Sequence, residues 1–196
     1  MFDVKQHLPK IQQVILKEMM HEGSSIFSVC RGGGKTFMLA LYSAMATADS
    51  AVNVGILSPS TRQTNMVFRD IERINKWVRP TNTAALIEKF DSTNNYDVVL
   101  IDEGVHVPEE KFELANRLSN KTITMTSGHW KHNYLWKRIS YSDYSYNFRQ
   151  VPYWLFPDGF FDFANLMEIK RVRPKYEFRF EYCGEFIDSK EYDNGS

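Results

Sequence analysis

The stretch Ser28-Val-Cys-Arg-Gly-Gly-Gly-Lys-Thr36 decides the fold of this chain. Its first two residues end the run 26–29, which is typical of a short β-strand, and its last two residues begin the segment 35–47. That segment carries apolar side chains nearly all round, so it is predicted to be a buried helix. Between strand and helix, three glycines let the backbone bend tightly, and free amides at a helix start attract anions. This order of elements predicts a phosphate-binding loop built on Gly32, Gly33 and Gly34.

The side chains of this loop suit the phosphates of a nucleotide. Lys35 is placed to reach the outer phosphates, and the Thr36 hydroxyl is placed to bind Mg²⁺. Arg31 stands four residues before Lys35, where its guanidinium can stabilise charge on the γ-phosphate. A solvated arginine at the loop edge is the alternative for Arg31. Position 29 is valine where the usual pattern has glycine, so a merely flexible turn is the competing interpretation of the stretch.

A second group of polar residues supplies the acidic half of such a site. Residues 98–101 form a continuous apolar run, typical of a central parallel strand, and Asp102 and Glu103 follow it. Because ligands bind at the carboxyl edge of such sheets, Asp102 is predicted to hold Mg²⁺ and Glu103 to deprotonate the attacking water. Small hydroxyl residues fill the stretch 122–128, where they either sense the γ-phosphate or simply reflect β-propensity.

The remaining periodicities complete a pattern of alternating strands and helices. The further elements expected are strands at 52–57 and 121–125, a helix opened by a Ser60–Gln63 capping box and running to about Trp77, and a helix from Pro108. The helix after Ser60 is expected to bury one apolar face, formed by Val67, Ile71, Ile74 and Val78. Such alternation implies βαβ units. The fold class is therefore α/β, a three-layer αβα sandwich with a mostly parallel central sheet.

The residue composition and periodicity of the chain change near residue 140. We expect residues 1–140 to form the core and 141–196 to form a small C-terminal subregion packed on it. Within that subregion, residues 141–163 are rich in tyrosine, phenylalanine, aspartate and proline and are expected to be irregular. Two helical patterns follow at 163–173 and 175–186, separated by a proline.

Composition excludes several classes of protein. The 196 residues carry 24 basic and 24 acidic side chains, so the formal net charge is zero, which excludes a uniformly basic nucleic-acid coat but allows a local basic patch. A hydrophobic fraction of 43% excludes a disordered chain. Two cysteines form no disulfide framework, which favours a reducing compartment. No apolar run is long enough for a signal peptide or a membrane span.

Together these motifs resemble the ATPase domain of the large terminase subunit, the viral DNA-packaging motor. Residues 31–36 resemble the Walker A motif of that family, with arginine four positions before lysine. Residues 98–103 resemble its Walker B motif with the catalytic glutamate, and residues 124–128 its coupling motif. The segment 57–63 resembles the family's segment after the second strand.

The resemblance extends to both ends of the chain. Gln12, in Leu8-Pro-Lys-Ile-Gln12, resembles the family's N-terminal glutamine that reads adenine. The stretches 157–162 and 178–189 resemble the tail that precedes the nuclease domain of terminases. The nuclease domain itself does not follow within these 196 residues, so no DNA cleavage is expected.

The resemblance implies a RecA-like P-loop NTPase of the ASCE group that hydrolyses ATP with Mg²⁺. In addition to the roles above, it implies that Arg31 acts on the γ-phosphate in cis, that Gln12 contacts adenine, and that Ser127 couples hydrolysis to motion. The implied partners are double-stranded DNA, the portal protein, the small terminase subunit and like subunits in a ring on the portal. The isolated chain is expected to be a monomer in the host cell cytoplasm, with no membrane partner.

Two stretches depart from the family pattern. Many terminases carry an arginine shortly before Walker B that reaches the neighbouring subunit's site, whereas residues 91–96 contain none. Lys89, Arg79 or a basic residue elsewhere could replace it, or the contact between subunits is of a different kind. The coupling motif has Gly128 and His129 where threonine and proline are common, which leaves the coupling residue open.

Other functions stay open on the sequence alone. A helicase or recombination ATPase shares the core motifs, and a nucleotide-regulated module that binds the portal without hydrolysing ATP is the non-enzymatic alternative. Basic residues cluster at 131–138 and at 170–175, where they either contact DNA phosphates or form solvated faces. The histidines at 106, 129 and 132 are expected to be too scattered for a metal cage.

Overall fold

The computed structural model describes residues 7–48, 50–78, 85–141 and 146–190. The strands in this part of the chain are β1 Ser25–Val29, β2 Asn53–Leu57, β3 Leu86–Lys89, β4 Tyr96–Asp102, β5 Ser119–Thr126, β6 His129–Trp130, β7 Asn147–Val151 and β8 Phe186–Ile187. Its helices are α1 Lys10–Met20, α2 Lys35–Ala48, α3 Thr61–Val78, α4 Glu109–Arg117, α5 Tyr134–Ser140, α6 Phe163–Val172 and α7 Lys175–Cys183. Short 3-10 turns lie at Gly104–His106 and Tyr153–Leu155.

Six strands form one parallel sheet in the order β3-β2-β4-β5-β1-β7. Because every pairing in it is parallel, the carboxyl ends of all six strands lie at the same edge. The phosphate-loop strand β1 and the acidic strand β4 are separated by one strand, β5. A separate two-stranded sheet pairs β6 with β8.

Helices cover both faces of the large sheet. Successive strand residues point to opposite faces, so neighbours in a strand join different cores. Phe27 and Leu100 pack in the core shared with α1, α2 and α3, whereas Ile26 and Ile101 pack in the core shared with α4 and α5. This arrangement confirms the three-layer αβα fold.

Local sequence explains how the helices next to the site begin. Ser60 Oγ accepts a hydrogen bond from the Gln63 amide at 3.3 Å and donates one to the Gln63 side chain at 2.8 Å, so the predicted cap at the start of α3 is present. Helix α2 carries no charged residue after Lys35 and is buried over most of its length, as its apolar sequence predicts.

The structure differs from the sequence expectations in the segment 141–163. We expected it to be irregular, but its residues Asn147–Val151 form β7, which pairs with β1 in the main sheet. The division of the chain at residue 140 stays a prediction, although the sheet takes this strand from beyond it. The strand β3 and the helix α1 were not predicted either.

Two further points concern the described residues only. None of their helices is both long and apolar enough to cross a membrane. Arg79, one candidate for the contact between subunits, and the side chain of Val78, expected on the buried face of α3, lie outside the part of the chain that the structure describes.

Candidate nucleotide-binding site

Three neighbouring strands deliver the predicted site residues to one edge of the sheet. The loop from Arg31 to Gly34 follows β1, Asp102 ends β4 and precedes Glu103, and Ser127 follows β5. Since these strands are adjacent and parallel, the sheet brings together residues that are far apart in the sequence. This edge is where an α/β sheet binds its ligand.

The phosphate loop has the backbone conformation that its glycines permit. Gly32 and Gly34 have φ angles of +77° and +87°, values that residues with a Cβ rarely adopt. Gly33 has no such φ angle, but a Cβ there would lie 2.7 Å from the Val29 side chain. All three glycines are therefore required by the shape of the loop.

Lys35 lies at the centre of the candidate site. Its Nζ atom is 3.4 Å from the Val29 carbonyl oxygen and 3.4 Å from Glu103 Oε1. The side chain is only 10% exposed, so its charge is held in a region with little water. Its cation links the phosphate loop directly to the residue predicted to be the catalytic base.

Thr36 and Asp102 form the predicted metal-binding pair. The Thr36 hydroxyl donates a hydrogen bond of 3.0 Å to Asp102 Oδ2. Asp102 is 2% exposed, and this burial, together with the nearby Glu103 carboxylate, raises its pKa to about 6. The other oxygen, Oδ1, is buried without a hydrogen-bond partner in the described residues. A buried carboxylate oxygen without a partner, next to a hydroxyl, fits the oxygen ligands that Mg²⁺ prefers.

Glu103 has an unusual backbone conformation. Its φ and ψ angles of 51° and 52° lie in the left-handed region, and among the described non-glycine residues it is the one with a positive φ. Strained residues of this kind concentrate at functional sites. The Ser127 hydroxyl lies 3.5 Å from Glu103 Oε2, which connects the predicted coupling residue to the predicted base.

Gln12 lies beneath the phosphate loop. The side chain is 5% exposed, and its Nε2 atom donates a hydrogen bond of 2.9 Å to the Gly33 carbonyl. A Cβ on Gly34 would come within 2.7 Å of the same nitrogen. The predicted contact of Gln12 with adenine is untested, and the contact seen here is with the loop backbone.

Arg31 is paired with the C-terminal subregion. Its Nη1 atom lies 3.0 Å from Glu181 Oε2 in α7, and Arg173 binds the same oxygen at 3.1 Å. The hydrogen bond to Glu181 is the main reason that the pKa of Arg31 is raised. The structure thus pairs Arg31 with α7, whereas the sequence predicts that Arg31 acts on the γ-phosphate.

The end of α7 also contacts the carboxyl edge of the sheet. Ser28 Oγ donates a hydrogen bond of 2.7 Å to the Gly184 carbonyl, and the Gly128 amide donates one of 2.9 Å to the Phe180 carbonyl. A Cβ on Gly128 would collide with the backbone of Glu185. No local pattern in the sequence predicts these contacts. The signal that was available is Gly184, which ends α7 with a φ of +64°.

The two histidines that follow the acidic strand and the coupling motif meet in space. The rings of His106 and His129 are 5.8 Å apart at 80°, and the ring of His129 stacks on Phe180. These two histidines are therefore neighbours in the fold although they are far apart in the sequence. Still, the described residues contain no group of three or more histidine, cysteine or acidic side chains that could hold a metal ion.

The arginines of the two basic clusters are paired with acids. Arg138 lies 2.6 Å from Glu113, and Arg171 lies 2.8 Å from Glu168. Lys131 lies over the ring of Trp136. These contacts favour the interpretation of both clusters as structural or solvated faces.

The fold and the site together define a RecA-like P-loop α/β domain, as expected. No protein-family model matches the sequence, and no curated protein matches it. Among solved structures, the large terminase of a thermophilic bacteriophage is 12% identical with a TM-score of 0.73, over 91% of this chain and 53% of that one. The large terminase of bacteriophage HK97 is 13% identical with a TM-score of 0.71, over 91% and 50%.

A third neighbour consists of one domain only. The ATPase domain of the Thermus phage P74-26 large terminase is 15% identical with a TM-score of 0.61, over 88% of this chain and 93% of that one. This chain therefore spans about half the length of the first two terminases and nearly all of an isolated ATPase domain. At these identities the likeness establishes the fold, which is that of large terminase ATPase domains.

Proposed function

We propose that this chain is the ATPase domain of a phage large terminase and that it hydrolyses ATP to drive translocation of double-stranded DNA. The observation that carries the proposal is the convergence of Lys35, Thr36, Asp102 and Glu103 at one sheet edge, around a buried carboxylate oxygen with no partner in the described residues. The structural neighbours support it, since the large terminase of the thermophilic bacteriophage has been solved with ADP and with ATP-gamma-S.

In this proposal the loop amides and Lys35 bind the β- and γ-phosphates of ATP. Glu103 accepts a proton from water while the water oxygen attacks the γ-phosphorus, and the bond from that phosphorus to the bridging oxygen of ADP breaks. Because Lys35 and Glu103 are 3.4 Å apart, the γ-phosphate must draw Lys35 away and leave the carboxylate free to act as the base.

The Thr36 hydroxyl and the Asp102 carboxylate would hold Mg²⁺. When bound, this ion neutralises charge on the phosphates. Burial is the main cause of the raised pKa of Asp102, and Lys35 is the one cation that acts against it. A buried carboxylate with so little nearby positive charge to offset the cost of desolvation is strongly stabilised by a divalent cation.

The finer assignments belong to the same proposal. Ser127, within reach of Glu103, couples hydrolysis to motion, and Arg31 acts on the γ-phosphate after it leaves Glu181. Double-stranded DNA, the portal protein, the small terminase subunit and like subunits in a ring are the partners, and the host cell cytoplasm is the location.

The decisive experiment compares two substitutions that each remove one carboxylate. Glu103→Gln should lower ATP turnover by a factor of about 10²–10⁴, the usual contribution of a general base, and should leave ATP binding intact. Glu110→Gln, an exposed position in α4, serves as the matched control and should leave both unchanged. Normal turnover in the Glu103 variant would show that the base is assigned wrongly.

The alternatives are separated by activity measurements with different polymers. A DNA-translocating ring predicts turnover that rises with protein concentration and with duplex DNA. Stronger stimulation by single strands would favour a helicase-like function. Tight ATP binding with no phosphate release, under all these conditions, would favour a module regulated by nucleotide.

A further inference from the structure

One basic surface lies outside both clusters that the sequence suggested. It is the solvent face of α3, and we call it the α3 stripe. Its members are all exposed and recur at spacings of four and three residues: Arg62, Met66, Arg69, Arg73 and Lys76.

Helical geometry places these five side chains in one line. At 3.6 residues per turn they fall within an arc of about 80°, and the stripe is about 21 Å long. The buried side of the helix, marked by Val67, Ile71 and Ile74, lies opposite. The stripe therefore faces away from the protein along the length of the helix.

The charge of the stripe is poorly compensated. Helix α3 carries four cations and two carboxylates, Asp70 and Glu72, a net charge of +2 in a chain whose formal net charge is zero. Arg73 pairs with Asp70 at 3.2 Å, but with its side chain 75% exposed this contact is weak. Arg62, Arg69 and Lys76 make no ion pair with any other described residue, unlike the paired arginines of the clusters at 131–138 and 170–175.

The stripe is also connected to the candidate site. Helix α3 follows β2, whose carboxyl end lies beside that of β4, Leu57 being in register with Ile101. Arg62 is therefore near the edge of the sheet that carries Asp102, and the other cations lead away from that edge. A ligand along the stripe would begin next to the nucleotide.

We infer that the α3 stripe binds the phosphate backbone of duplex DNA, an assignment that rests on the proposed function for the identity of the polymer. A straight line of cations suits a rigid polyanion, and contacts to phosphates alone carry no sequence preference. The stripe contains no aromatic ring, the feature on which single strands stack, so duplex is favoured over single-stranded nucleic acid.

The test removes three charges from the stripe and three from elsewhere. One variant combines Arg62→Gln, Arg69→Gln and Lys76→Gln, in which glutamine preserves helix propensity. The matched control replaces three exposed lysines of α1 and α4 by glutamine: Lys10, Lys17 and Lys111. Duplex affinity is measured by fluorescence anisotropy over a series of salt concentrations, and circular dichroism confirms that both variants fold.

The expected result follows from counterion release. Losing three phosphate contacts should weaken duplex binding on the order of 100-fold at about 0.1 M salt and make the negative slope of log K against log salt shallower by about 2.7. The control should change affinity far less. Arg62→Lys with Arg69→Lys keeps the charges and should retain affinity within about threefold.

Three outcomes would overturn the inference. They are equal loss in the control variant, no duplex binding by the wild type even at low salt, and displacement of duplex by single strands of equal length at lower concentration. ATP turnover without DNA is measured in parallel, because the stripe variants leave the proposed catalytic residues untouched. Failure of hydrolysis alone would thus count against the proposed function and not against the stripe.

Discussion

Replacing Gln12 by alanine separates two roles that this residue could have. In the structure the buried Nε2 atom of Gln12 donates to the Gly33 carbonyl at 2.9 Å and lies against Gly34. Leaving that buried carbonyl without its donor costs about 1–3 kcal/mol. If this whole cost destabilises the loop conformation that binds nucleotide, nucleotide affinity drops about five- to 150-fold.

The choice of nucleotide makes the measurement specific. A residue that holds the loop affects every nucleotide equally, so Gln12→Ala should weaken ATP and GTP binding by the same factor in isothermal titration. A residue that reads adenine affects ATP alone. Gln13→Ala provides the control, because the neighbouring glutamine donates to the Leu8 carbonyl at 2.8 Å instead of to the loop. Loss of ATP affinity with unchanged GTP affinity would refute the loop-holding role.

Two further substitutions test charges at the site. Glu181→Gln frees Arg31, so ATP turnover at low ATP should rise about two- to fivefold, as expected for an exposed ion pair of about 0.5–1 kcal/mol, and a drop in turnover would contradict a role for Arg31 at the phosphate. Asp102→Asn should stabilise the ligand-free protein by about 3 kcal/mol near neutral pH, seen as a higher Tm, and should abolish stabilisation by Mg²⁺. The direction of this effect follows from the pKa of Asp102, which is raised from 3.8 to about 6 in the folded protein. The wild type keeps its full stability below the ordinary pKa and loses stability as pH rises through the folded-state pKa. The gain in the Asn variant should therefore vanish at acid pH, and a gain that persists there would contradict this explanation.

The fold was largely readable because its signals are local. The apolar run at 98–101 predicts the strand β4, and the capping box at Ser60 predicts the start of α3, each from a few neighbouring residues. The glycine-rich loop predicts how β1 and α2 are joined. In contrast, three of the five residues of β7 are polar and only Val151 is fully buried, so its place beside β1 is decided by tertiary pairing.

The meeting of the candidate site residues at one sheet edge was predictable, but their connections to the rest of the fold were not. Lys35, Thr36, Asp102 and Glu103 could be assigned because each follows a recognisable strand. The pairing of Arg31 with Glu181 spans 150 residues, and no local pattern encodes it. The α3 stripe was missed for a different reason: its spacing and the apolar face opposite it are visible in the sequence, but only the structure shows that Arg62, Arg69 and Lys76 make no ion pair with other described residues.

The contacts of Gly128 with Phe180 and of Gly184 with Ser28 set a lower limit on the length of an autonomous folding unit. Main chain meets main chain at both glycines, so a fragment that stops before α7 would leave the Ser28 hydroxyl and the Gly128 amide without the carbonyls that satisfy them. It would also remove β8, the partner of β6. A truncation intended to isolate the half with the candidate site should therefore retain the chain through Ile187, and limited proteolysis of the native protein should spare the connection between α7 and β8.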